Sequence, residues 1–207
     1  YPIQTMQKDD IVHAARYFGS PGQCDDLDEI LITGGDPLMS LPLLGHTVHS
    51  IREHAPNIQT IRIGSRVPFQ DPRRINVDLL ALFTAYPDVR FEIGCNVNHP
   101  VEFWPESVEA IRKLQDIGVR VYNQNPLLKG VNDDLQTLMD LYGLLRQNRI
   151  EAHYLFHAIP LRGMSHHRTS IAKGLDLANK ISSCGEFSGR AKPRYTVLSD
   201  IGKVVLY

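Results

Sequence analysis

Five short apolar, largely β-branched runs recur along the chain about every 30 residues, each followed by a stretch of helical periodicity. This alternation constrains the fold more than any other feature. The runs are residues 29–33 (EILIT), 59–64 (QTIRIG), 90–95 (RFEIGC), 119–123 (VRVYN) and 152–157 (AHYLFH). Helical patterns lie between and after them at 42–54, 74–86, 106–117, 134–147 and 168–182, with one more at 8–18 ahead of the first strand. In 106–117, Val108, Ile111, Leu114 and Ile117 share one face; Pro105 stands where a first turn tolerates it, and Gly118 can close the helix. The pattern predicts a parallel sheet covered by helices.

Connections from helix back to strand are short, whereas those leaving the strands (GGDPLMS, SRVPFQDPRR, NVNHPVEFWP, NQNPLLKGVND, HAIPLRGMSHHR) are long and polar. In an α/β barrel the loops at the carboxyl ends of the strands build the active site. A closed eight-stranded barrel takes about 250 residues, more than the 207 present. We therefore expect a partial (β/α) barrel over residues 1–192 and a hairpin-like tail over 193–207. A regular series would place a strand ahead of the helix at 8–18, so a first βα unit is expected upstream. The missing initial Met and an ending, GKVVLY, inside a strand pattern point the same way.

The charge balance, 22 Lys plus Arg against 23 Asp plus Glu, offers nucleic acid and anionic lipid no global attraction. No apolar run reaches the ~20 residues of a membrane span, and no charged and apolar leader opens the chain. Cys24, Cys95 and Cys184 are too far apart for a short-spaced metal motif and odd in number, which fits a reducing, cytoplasmic setting. Cys95, at a strand end, reads as a buried structural thiol.

Gly34, Gly35 and Asp36 follow the first strand directly. Two glycines there let backbone N–H groups approach an anionic or zwitterionic ligand, with Asp36 accepting from an ammonium; a tight turn in which Asp36-Pro37 starts a helix explains the same residues. Arg66, Asn98, His99, Asn123, Gln124, Asn125 and Asn132 fall on the same rim by register, and amides with one imidazole suit carboxylate, hydroxyl and adenine edges rather than zinc. His153 and His157, in a strand, lie too far apart to share a metal. His166-His167-Arg168 reads as the start of the last helix, where Arg168 can hold an anion. Lys203, in a glycine turn before VVLY, is either a Schiff-base lysine or a hairpin lysine.

Taken in order, ILITGGDPL, IRIGSRVPFQDPRRI, NVNHPVEF, NQNPLLKGVND, YLFHAIPLRGMSHHRTSIAKGL and SGRAKP resemble the lysine 2,3-aminomutase family of radical S-adenosylmethionine (SAM) proteins over residues 28–194. The resemblance implies a partial barrel of the radical SAM type. It also implies a [4Fe-4S] cluster that reductively cleaves SAM to a 5′-deoxyadenosyl radical for hydrogen abstraction, and pyridoxal phosphate carrying a 1,2-amino shift. By the same resemblance Gly34, Gly35 and Asp36 match the SAM-methionine motif, Arg66, Asn98, His99 and Gln124 match positions facing SAM, and Lys203 matches the pyridoxal lysine if a short gap is allowed.

Three departures stand beside the match. The family's CxxxCxxC motif is absent from this chain, so no metal ligand is expected in it and the cluster ligands are expected upstream of Tyr1. Ile159 occupies the place of an aspartate that pairs with the lysine side chain, which argues against free lysine. The tail TVLSDIGKVVLY replaces a longer glycine-rich segment, leaving pyridoxal phosphate open. The expected partners are an amino-acid-like small molecule and an electron donor, with a homo-oligomer left open. Competing readings are a radical SAM enzyme without pyridoxal phosphate acting on another metabolite or a peptide, a non-catalytic binding remnant of the fold, and an ordinary phosphate-binding barrel lyase.

Overall fold

The computed structural model describes residues 6–22, 24, 26–159 and 162–207. Residues 1–5, 23, 25, 160 and 161, the last two within HAIPLRGMSHHR, lie outside it. The order is α1 (Lys8–Phe18), β1 (Glu29–Ile32), α2 (Leu41–His54), β2 (Thr60–Gly64), α3 (Val67–Gln70), α4 (Val77–Thr84), β3 (Arg90–Cys95), α5 (Pro105–Asp116), β4 (Arg120–Leu127), α6 (Leu135–Gln147), β5 (Glu151–His157), α7 (Ile171–Ser183), β6 (Arg194–Ser199) and β7 (Gly202–Val205). The strands form one seven-stranded sheet in chain order, β1 to β6 parallel and β7 antiparallel, curved into a half-barrel. The expected partial barrel is therefore present, and the tail's first strand continues the parallel series.

Strand alternation separates two faces. Ile61, Ile63, Phe91, Ile93 and Leu155 point outward and are buried under the helices with Val48, Ile51, Leu114, Leu138 and Leu145. The opposite residues line the concave lumen. There Arg62 donates to Tyr122 Oη at 3.0 and 3.2 Å and to Glu29 Oε1 at 2.9 Å. Tyr122 leans over Gly94, where a Cβ would lie 2.8 Å from its hydroxyl.

Three boundaries differ from the sequence expectation. The helix expected from 74 starts at Val77, because Asn76 Oδ1 accepts from Leu79 N at 3.1 Å, and the residues before it form α3 and a 3-10 turn at Pro72–Arg74. The last helix starts at Ile171, capped by Ser170 Oγ accepting from Lys173 N, so His166-His167-Arg168 does not open it; Ser165–His167 is a separate 3-10 turn. β4 runs past the expected end at Asn123 to Leu127, which places Gln124 and Asn125 within the strand instead of the loop.

The β4–β5 register skips one residue between Asn123↔Ala152 and Gln124↔Tyr154, leaving His153 as the extra residue of a β-bulge. The bulge parts the two histidines. His153 packs edge-on against Tyr122 in the lumen, and His157 faces the helices, its Nδ1 2.8 Å from Tyr195 Oη.

Candidate functional site

The rim at the carboxyl ends of β1 to β4 is held by side chains that cross between loops. After β1 the chain turns at Gly34, whose φ of +124° favours glycine, and Asp36 then caps the 3-10 turn Pro37–Met39. Asp36 Oδ1 accepts from Leu38 N (3.1 Å) and Ser65 Oγ (2.7 Å), and Oδ2 accepts from Arg66 N (2.6 Å). The carboxylate thus ties the β1 loop to the β2 loop. Ser65 N continues the chain of contacts to Gly94 O on β3 (3.1 Å).

After β3, Glu102 Oε1 accepts from Asn98 N (2.7 Å) and His99 N (3.0 Å), and its Oε2 lies 3.9 Å from the half-exposed Arg66 guanidinium. His99 Nδ1 accepts from Val101 N at 3.1 Å, which places the proton of the neutral ring on Nε2 as a donor. Asn98 is buried, and its Oδ1 has no hydrogen-bond partner. Gln124 projects from β4 on the lumen side.

Asn123, Asn125 and Asn132 are buried braces, which corrects their reading as ligand-facing rim residues. Asn123 Oδ1 accepts from Val97 N (2.8 Å) while its Nδ2 donates to Val97 O (3.0 Å). Asn125 turns toward α6, within 3.4 Å of Tyr142 Oη. Asn132 Oδ1 accepts from Leu128 N (2.7 Å), and its Nδ2 donates to Asn98 O (2.9 Å) and Pro126 O (3.0 Å).

Sequence reasoning missed the lumen group of Arg62, Tyr122, His153, Arg194 and Lys203. Lys203 is the second residue of β7, close to the turn as a hairpin lysine would be, yet its Nζ points inward, 4.7 Å from the centre of the Tyr154 ring and 5.7 Å from that of Phe156. Burial and the Arg62 charge lower its pKa. Alternation along 199–207 carries the signal for this placement, since Lys203 pairs with Leu198 on the face opposite the Val197–Val204 pair.

His153 titrates in the same group. Burial, reinforced by Arg194, Arg62 and Lys203, pushes its pKa down from 6.5 to about 4. The unfolded chain takes up that proton near pH 6.5 and the folded chain only near 4, so stability falls as pH drops through this window and levels off below it. The ring is half-buried, which limits the loss to the order of 1 kcal/mol. Urea unfolding at pH 7 and 4.5 is expected to show the loss, and H153Q to remove most of it.

The residues present fit SAM on two observations. No atom lies within 4 Å of a Cβ built at Gly34 or Gly35, so backbone is open to a ligand there, and the orphaned Asn98 Oδ1 is an acceptor in need of a donor. They do not fit an iron–sulfur cluster. Among the described residues no three His, Cys, Asp or Glu side chains converge, and burial raises the pKa of the Cys95 thiol.

No family model matches the chain. Individual proteins do. It is 36% identical over 175 residues to a putative L-lysine 2,3-aminomutase of Aquifex aeolicus, covering 84% of this chain and 46% of that protein. It is 35% identical over 190 residues to L-lysine 2,3-aminomutase of Methanococcus maripaludis, covering 92% and 42%. The chain belongs to the lysine 2,3-aminomutase family of radical SAM proteins. A glutamate 2,3-aminomutase of Clostridioides difficile is 31% identical over 173 residues, covering 84% and 40%. The chain thus spans less than half the length of these curated relatives. A solved radical SAM methyltransferase of Sphaerobacter thermophilus superposes with a TM-score of 0.59 at 20% identity, over 91% of this chain and 56% of that one, in agreement with the half-barrel. Among the described residues no helix is long and apolar enough to cross a membrane.

Proposed function

We propose that this aminomutase-family chain is the cofactor-binding half-barrel of a cytoplasmic radical SAM isomerase, one that moves an amino group within an amino acid or related metabolite other than free lysine. The open backbone at Gly34–Gly35, beside a rim stitched by Asp36, carries the reading. Gly34 and Gly35 would present backbone N–H groups to the methionine end of SAM, and Asn98, His99 and Gln124 would offer acceptors and donors to its polar edges, with Arg66 at the margin. Bound there, SAM would supply the hydrogen abstraction. The chain's own part is to hold that ligand rigidly and keep water from the lumen.

Lys203 is the residue we assign to pyridoxal phosphate. Its inward amine, lowered pKa and two adjacent rings support this use over a purely structural hairpin lysine. Ile159, exposed just past β5, offers no charge to a substrate ammonium, which supports a substrate other than lysine.

Anaerobic titration of the intact protein with SAM tests the site. In D36N the amide nitrogen can no longer accept from Arg66 N, and affinity for SAM is expected to fall about tenfold, roughly 1.4 kcal/mol. Unchanged affinity removes Asp36 from the site. Free L-lysine is expected to yield no shifted product; its turnover would overturn the substrate assignment. Loss of the visible absorption of protein-bound pyridoxal phosphate in K203A supports the second cofactor, and full activity of that variant excludes it.

A further inference from the structure

At the opposite end of the strands, below β5 and β6, lies a cavity of about 810 Å³. Arg146, Arg149, Arg190, Lys192 and Arg194 line it, with Glu151 as the one carboxylate. Lys192 Nζ donates to Ser182 O and Cys184 O, closing the carboxyl end of α7. Among the described residues no carboxylate pairs with Arg146, Arg149, Arg190 or Arg194. In a chain of formal net charge -1 this is a local excess of unneutralised cations. His153 also lines the cavity and is held neutral in part by Arg194.

Backbone geometry supplies an independent observation. Arg149 has φ +56°, the one positive φ outside glycine among the described residues. It occupies the turn that ends α6, where Arg149 N donates to Arg146 O and Ile150 N to Leu145 O. The preceding unit ends α5 with the same pair of bonds, Gly118 N to Gln115 O and Val119 N to Leu114 O, and there glycine holds the left-handed position. At equivalent turns one unit uses the residue that adopts this conformation freely and the next a residue that resists it. A strained backbone retained at a cavity wall indicates that the side chain is needed there.

We infer that this cavity binds a small molecule carrying a phosphate or pyrophosphate group, with Arg149 as a principal contact. Arginine forks match phosphate oxygens bidentately, and the volume admits an organic phosphate. The site lies at the amino-terminal ends of the strands, apart from the SAM rim, and does not depend on the function proposed above.

Calorimetric titration of the intact protein with inorganic pyrophosphate, and separately with AMP, tests it. Wild type is expected to bind pyrophosphate with a Kd below about 1 mM that weakens as salt is raised. R149G is expected to weaken binding at least about tenfold while raising Tm by about 2 to 4 °C, because glycine relieves the left-handed position. SAM binding should be unchanged in this variant. The double variant R190Q/R194Q should lose the remaining affinity. AMP binding as tight as pyrophosphate binding identifies a phosphoester ligand, and pyrophosphate binding alone a free phosphate. No pyrophosphate binding at about 10 mM, or equal binding by R149G, overturns the inference.

Discussion

Replacing Gly174 by alanine is expected to destabilise the protein by about 3 kcal/mol, although alanine is the better helix former by about 1 kcal/mol. Gly174 lies on the face of α7 against the fully buried Tyr195, and a Cβ there would sit 2.0 Å from the hydroxyl and 2.2 Å from the ring carbon bearing it. Tyr195 cannot swing away without breaking its contact with His157 Nδ1 and leaving a buried hydroxyl unpaired. The same substitution at Gly143 in α6, whose Cβ would meet nothing within 4 Å, should stabilise by about 0.5 to 1 kcal/mol. Urea unfolding of the two variants side by side separates packing from propensity, and equal shifts would mean that the α7–β6 contact is looser than described.

Removing the Asn132 side chain should cost a similar amount, about 3 kcal/mol in N132A. Three backbone groups lose their partner at once, the Leu128 N–H and the Asn98 and Pro126 carbonyls. Buried polar groups left unsatisfied cost about 1 to 3 kcal/mol each, and water admitted to the gap recovers part of that. Because Asn98 belongs to the rim, SAM affinity should fall along with stability. N132D tests the geometry: its carboxylate can still accept from Leu128 N but cannot donate to either carbonyl, so it should be nearly as damaging as alanine. A stable N132D with wild-type SAM affinity would show that the two loops hold without this tie.

The strands were legible because a strand with one face under the helices alternates apolar and polar residues, and Ile61 and Ile63 around Arg62, like Phe91 and Ile93 around Glu92, do so. The end of β4 was not, because Pro126 reads as a strand terminator. β3 stops opposite Asn123, so beyond that point no neighbour on that side calls on a donor from β4, and proline costs nothing there. The rim asparagines show a different limit. Residue type marks Asn98, Asn123, Asn125 and Asn132 alike as polar, and only the folded register separates Asn98, with its orphaned oxygen at the rim, from Asn123 and Asn132, consumed by backbone, and from Asn125, whose oxygen faces Tyr142 while its Nδ2 has no partner. His153 and His157 were separated by a bulge that leaves no mark in composition. The charged cavity escaped because its arginines come from two segments that meet only in three dimensions.

Strand order that copies chain order also has a bearing on synthesis. Each parallel strand from β2 to β5 pairs with the one emerging from the ribosome about 30 residues earlier, and β6 with one about 43 residues earlier, so no strand waits for a distant partner and the sheet can grow by one βα unit at a time. Throughout that growth the newest strand presents an open edge, and release of the nascent chain before residues 202–205 have emerged would leave β6 bare. The reversal at Asp200–Ile201 answers this locally: β7 reaches β6 through a turn of two residues, within microseconds of emergence, and covers the last parallel edge before another chain can add to it.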